Sequence, residues 1–266
     1  LYKHLFKFSI WTTIIAISQR FIINITPTIL AAFSGTDQVS IFSIGSSIEG
    51  YVWAFANALN GLFLPSVTKI ISNPKNEKNL EILMIKVGRI QLIILGLLII
   101  GFIILGKEFM IIWIGKDFIN SYYVAMLLIL PSIITLTQHI GVTALVVKNE
   151  IKYRAISYLI TAIISFSLSI VLSKSFGAIG SAIAIFIGNI IGQVIVLNFV
   201  FKSKLQINIY NFFHQTFSKM LIPFFTILII GIYLQSKFPT LNIFIFLFKV
   251  LLSSRLYLVM VWFFAL

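Results

Sequence analysis

The chain has 266 residues, 59% of them hydrophobic and 10% charged, with no cysteine and a formal net charge of +13. Such apolar content excludes an ordinary soluble domain, and the lack of cysteine excludes disulfide frameworks and thiolate metal sites. The excess of cations invites a nucleic-acid reading, but they cluster between long apolar runs, where membrane topology puts them, so no nucleic-acid partner is expected.

In chain order the apolar segments are about Phe8–Phe33, Val39–Pro65, Ile90–Leu105, Tyr122–Val147, Ala155–Leu172, Gly177–Phe201, Met220–Leu234 and Leu241–Leu266. A transmembrane helix needs about 20 mostly apolar residues. The short alternating segments of an outer-membrane barrel are absent, which predicts an all-α polytopic bundle of about eight spans. The chain opens at Leu1 and stops inside an apolar run, so a fragment or trimmed chain is expected, and its start has no signal-peptide cleavage pattern.

The first two segments join at Ser34-Gly35-Thr36-Asp37-Gln38 as an antiparallel hairpin. Arg20 lies inside the first and Glu49 inside the second, at similar depth, and Glu49 is the only acid expected at membrane depth. Asn24 and Thr28 follow Arg20 at four-residue spacing; Trp53 and Asn57 follow Glu49 in the same way, with Asn60 three further on. Each helix therefore carries a polar stripe. Two arrangements fit these charges. Either they face each other or a wet cavity, since a lone charge at a helix centre costs about 2.5–3.5 kcal/mol, or Arg20 snorkels toward the headgroups and Glu49 is protonated. The stripes favour the first, because snorkelling explains neither Asn24 nor Asn57.

Ser66 to Lys86 reads as a solvated connection turning at Asn73-Pro74. An alternative is a short amphipathic helix ending on Glu77, Lys78, Glu81, Lys86 and Arg89. Gly106 to Ser121 is an outer connection whose core, Phe109 to Ile114, is too apolar for a free loop. An interfacial helix or re-entrant turn is expected there, with Trp113 as anchor and Gly115 as stop. In the fourth segment His139, an imidazole whose ordinary pKa lies near physiological pH, is placed either to relay protons or, as we favour, to hydrogen-bond a neighbouring helix.

The fifth and sixth segments show the clearest packing pattern. Ser157, Thr161, Ser165, Ser169 and Ser173 recur every four residues, as do Gly180, Ala184, Gly188 and Gly192. Small residues so spaced let backbones approach and hydroxyls bridge. Asn189 and Gln193 lie one step round from the glycines, as interhelical bonds or cavity lining. Toward the end, Phe238-Pro239 breaks the chain. Either the last helix starts late, leaving Leu241 to about Phe248 at the interface, or Lys249 and Arg255 both enter the membrane.

Alternating spans divide the cations thirteen to four between the two sides, with Arg20, Lys249 and Arg255 inside spans. The richer side, which includes the N-terminus, is expected in the cytoplasm. His4, His139 and His214 form no ligand motif, so no metal and no cofactor is expected.

Several runs resemble one family, the polysaccharide-repeat (O-antigen type) flippases of the multidrug/oligosaccharidyl-lipid/polysaccharide exporter superfamily. They are Leu62-Phe63-Leu64-Pro65, the apolar–Trp–apolar–Gly–x–x–Phe run from Phe109 to Phe118, and Phe176-Gly177-Ala178-Ile179-Gly180-Ser181-Ala182-Ile183-Ala184. Val39 to Ile44 is similar more loosely, with Phe42 where the family has Tyr. The resemblance implies two six-helix lobes around a central cavity and alternating access driven by an ion gradient. Its implied cargo is an undecaprenyl-diphosphate-linked oligosaccharide. Residues 1–201 would be the second lobe and 202–266 two trailing helices, with the first lobe missing. On this reading the protein is a cytoplasmic-membrane transporter and not an enzyme, its partners being lipid-linked oligosaccharide, membrane lipids and a coupling H+ or Na+. Arg20 would attract the diphosphate with Asn24, Asn57 and Trp53 nearby, and Glu49 would hold Arg20 or the ion. A drug/cation antiporter of the same superfamily, a membrane-embedded glycosyl-transfer or polymerising enzyme, and a non-transporting scaffold are the alternatives. Scattered charges argue against the enzyme, and the polar stripes against the scaffold.

Overall fold

The structure, a computed structural model, describes residues 2–60, 63–72, 77–237 and 243–264. Its α-helices are α1 (Tyr2–Phe33), α2 (Thr36–Asn60), α3 (Leu64–Ile71), α4 (Glu77–Ile114), α5 (Asn120–Thr137), α6 (His139–Val147), α7 (Ile151–Asn189), α8 (Leu197–Leu205), α9 (Ile209–Lys237) and α10 (Ile243–Phe264). A 3-10 turn at Lys116–Phe118 precedes α5, and a π-helical stretch, Ile190–Val196, joins α7 to α8. No strand occurs among the described residues. Leu62, Asn73-Pro74, Lys75, Phe238-Pro239 and Leu241 lie outside them.

Six stretches are long and apolar enough to cross a membrane. One of these, Ile151–Leu205, has 55 residues, about twice a span, and folds back at Gly177 (φ 55°, ψ −133°). Its two arms and α2, which is 25 residues long but less apolar, bring the described helices of spanning length to eight, in an all-α polytopic bundle. The positive φ at Gly177 is one L-residues avoid, and a Cβ there would strike the Gln38 side chain. Gln38 Oε1 accepts the Ala178 N–H at 2.9 Å, satisfying a donor that the start of the second arm leaves unpaired. Ser34 Oγ donates to the Ser173 carbonyl at 2.8 Å. These bonds fasten the α1–α2 turn to the α7 turn.

The two arms of α7 meet along their small residues. A Cβ on Gly188 would collide with Ser165 Oγ and lie 3.0 Å from the Thr161 carbonyl; one on Gly192 would lie 2.7 Å from the Ser157 carbonyl. Ala184 is fully buried. Two polar groups bridge the arms: Ser157 Oγ donates to the Gly192 carbonyl at 2.6 Å, and Gln193 Nε2 to Thr161 Oγ1 at 3.1 Å. Farther along, Ser165, Ser169 and Ser173 are buried without a hydrogen-bond partner among the described residues, so they serve close approach and not bridging.

The remaining elements depart from the sequence reading in three places. First, Phe109 to Ile114 is neither an interfacial helix nor a re-entrant turn but the end of α4, which runs unbroken for 38 residues, about 57 Å. A hydropathy window truncates it at Ile90–Leu105 because its ends are charged. Gly115 (φ 91°) stops it, and Trp113, exposed, stacks on Phe109. Second, the connection before α4 is neither a uniformly solvated linker nor an amphipathic helix ending at Arg89. Its helix is α3, started by Pro65 in its first turn and seated by buried Val67 against α4 and α6. Glu81 and Arg89 belong to α4 itself.

Third, α10 does not start late. Lys249 is buried within it, and its Nζ lies 3.0 Å from Glu108 Oε1 on α4. Glu108 lies about 9 Å from the end of α4 and Lys249 about 9 Å into α10, so the pair neutralises itself near one membrane face. Arg255, by contrast, is exposed. The two last helices pack on α4 through close glycine contacts: Gly96 abuts Phe224 and Tyr257, and Gly231 abuts Ile104. The Tyr257 hydroxyl donates to the Ile93 carbonyl at 2.7 Å.

Candidate functional site

α1 is organised by its contact with α7. Ile15, Ser18, Thr26, Ile29 and Leu30 are buried, at spacings that keep them on one side. Arg20 sits two residues beyond Ser18, about 200° round the helix, and points the other way. It is exposed, as are Asn24 and Thr28 below it. Arg20 lies about 18 Å along the axis from both Phe8 and Phe33, at the middle of the span.

Glu49 does not pair with Arg20. α1 packs far more extensively on α7 than on α2, so equal depth does not bring the two stripes face to face. α2 instead packs on α5, burying Ile41, Phe42, Ile48, Val52 and Ala56. Glu49, partly buried, turns toward that contact. The Trp53 indole N–H is shared between Glu49 Oε1 (3.2 Å) and Ser132 Oγ (3.1 Å), and Ser132 Oγ lies 3.4 Å from the same carboxylate oxygen. Glu49 Oε2 accepts no hydrogen bond from the described residues. A carboxylate steadied through one oxygen, with the other open, is arranged to take a cation or a proton.

On its far side Trp53 borders a cavity of about 20 Å³, room for roughly one water. Gln138, His139, Arg154 and Gln193 also line it. The fourth span breaks at Gln138 (φ −95°, ψ 11°), and Gln138 Nε2 donates to Asn198 Oδ1 at 2.6 Å. Among the described residues His139 makes no bond to a neighbouring helix. Its Nδ1 lies 3.4 Å from Thr143 Oγ1, one turn along its own helix. Asn189 stays half-buried on the adjoining arm, while Gln193 does both jobs offered to it, bonding Thr161 and lining the cavity.

Two residues of this cluster escaped the sequence reading. Ser132, 83 positions from Glu49, is a single hydroxyl after Pro131 in an apolar run. Arg154 was counted as a topological charge, but it lies in the first turn of α7 with its guanidinium 5.7 Å from the Tyr158 ring. Asn57 is exposed on α2. No three His, Asp or Glu side chains converge as metal ligands among the described residues.

No protein-family model matches the chain, and no curated protein does. Its fold is similar to a solved structure of the lipid II flippase MurJ in an inward closed conformation, with a TM-score of 0.57 and 22% sequence identity. The match covers 88% of this chain and 51% of that one, so the chain spans about half the length of the flippase. At that identity the likeness speaks for the fold.

Proposed function

We propose that this chain is the substrate-handling second lobe, residues 1–201, and two trailing helices, residues 202–266, of a two-lobe exporter. That exporter flips an undecaprenyl-diphosphate-linked oligosaccharide repeat across the cytoplasmic membrane, with the N-terminus of this chain in the cytoplasm. The observation that carries the reading is Arg20, a cation at mid-membrane, exposed and without an ion pair among the described residues. Leaving such a group unpaired is costly, and intramembrane cations characteristically face a wet cavity or a charged cargo. Arg20 offers a diphosphate several donors in a rigid fork, with Asn24 one turn away. Asn57 and Trp53 add polar and aromatic surface for sugar, and Glu49 takes the coupling proton or sodium ion through its open oxygen. The fold similarity to a lipid II flippase supports a transporter, as opposed to a catalyst, acting on lipid-linked sugar.

The Glu49 arrangement also favours a second reading, a cation antiporter in which Glu49 binds the cargo. The test is repeat-unit export by the full-length protein in cells whose own flippase is deleted. Arg20→Gln is expected to abolish export with unchanged membrane abundance and melting temperature, and Arg20→Lys to restore only part of it. Full export by Arg20→Gln overturns the diphosphate role. Loss of cation efflux in Glu49→Gln, with Arg20→Gln unaffected, selects the antiporter.

A further inference from the structure

A second polar site lies away from the Glu49 cluster. Where α4 and the start of α9 diverge they frame an open cleft of about 690 Å³. One wall carries Lys86 and Arg89, and the other Asn211 and Gln215. Arg89 is positioned by the fold: its Nε–H donates to the Gln215 carbonyl at 2.8 Å, which leaves four of its five N–H donors available. Lys86 is exposed, and neither cation forms an ion pair among the described residues.

The acid in the cleft does not neutralise them. Glu81 spends its oxygens on the start of α9, accepting the Asn208 N–H at 3.0 Å and the Asn211 side-chain amide. Along α4 the cations then give way to isoleucines. Ile90 is 41% exposed, and Ile93 continues the apolar wall one turn beyond it. Two cations at the end of a spanning helix, beside an exposed apolar strip, match a phosphate joined to an acyl chain. A free anion would use the cations and leave the strip uncovered.

We propose that this cleft binds an anionic phospholipid of the leaflet facing the basic connections. Its phosphate would lie on Arg89 and Lys86, and an acyl chain on Ile90 and Ile93. The lipid bridges the third span and the first trailing helix, filling the gap between them. Basic pockets between membrane helices are suited to such headgroups, and each cation near an anionic surface contributes about fivefold in affinity.

The full-length protein, purified in mild detergent, is titrated with phosphatidylglycerol or phosphatidylcholine of identical acyl chains, and bound lipid is counted by native mass spectrometry. Preferential retention of phosphatidylglycerol is expected, weakened about fivefold in Lys86→Gln and more in Lys86→Gln/Arg89→Gln, with phosphatidylcholine unaffected. Lys86 makes no hydrogen bond among the described residues, so its single variant reads the site even if the double variant misfolds. Lys148→Gln, on the same side but outside the cleft, should leave retention unchanged. Equal retention of the two lipids, or no loss in Lys86→Gln, overturns the proposal. Displacement of the lipid by millimolar inorganic phosphate alone assigns the site to free anions, and displacement by undecaprenyl phosphate at equimolar concentration assigns it to cargo. Either result refutes a phospholipid site.

Discussion

Along the first α7 arm, Ser157, Thr161, Ser165, Ser169 and Ser173 are buried, the first three of them against glycines; on α1, Arg20, Asn24 and Thr28 are exposed. Both stripes have the same four-residue spacing. One consists of small groups that let two backbones touch, and the other of polar groups that no described helix covers. Spacing alone therefore reports a face, while side-chain size and charge decide whether a helix or a cargo covers it.

The largest test of this contrast is a charge that is covered. Lys249→Ala leaves the half-buried Glu108 without its ion-pair partner, a loss below the about 3–5 kcal/mol typical of fully buried pairs, and should still lower yield and melting temperature. Lys249→Met with Glu108→Leu should recover most of that loss. Additive effects of the two single changes, measured by thermal unfolding, would show that the pair is not coupled.

Next in size is the α7 contact. Gly188→Leu forces a side chain into Ser165 and the Thr161 carbonyl, and overpacking of this kind costs about 1–3 kcal/mol. A variant of unchanged melting temperature would mean that the arms separate in solution and that the stripe resembles α1 after all.

The smallest effect is expected at Ser132→Ala, which removes one hydroxyl from Trp53 and Glu49, worth about 0.6 kcal/mol inside a membrane. Stability should barely move. The pH profile of export should move if Glu49 carries the coupling ion, because its environment has changed while its position has not. An identical profile would assign the cluster to packing.

These differences also mark what a sequence conveys about a membrane bundle. Hydropathy reports long apolar helices, so the all-α polytopic bundle and the fold-back near Gly177 were legible. Depth says nothing of rotation about the helix axis. Arg20 and Glu49 stand at similar distances along the chain from the α1–α2 turn, yet α1 turns its buried face to α7 and α2 turns its own to α5. Pairing across long separations was equally hidden: Glu108 and Lys249 are 141 positions apart, and each alone reads as an ordinary charge at a loop or helix end. Continuity of α4 was missed because charge density ends a hydropathy window without ending a helix.

The bonds from Gln38 to Ala178 and from Ser34 to Ser173 have a mechanical consequence. They rivet α1, α2 and both arms of α7 at one end, while Ser157 and Gln193 clamp the arms again near the other, where Ile15 of α1 packs on Ile151, Ala155 and Tyr158. Fastened at both ends, α1 and the α7 arms would travel as a single block, so that a push at one end would reach the other undiminished and carry Arg20 with it.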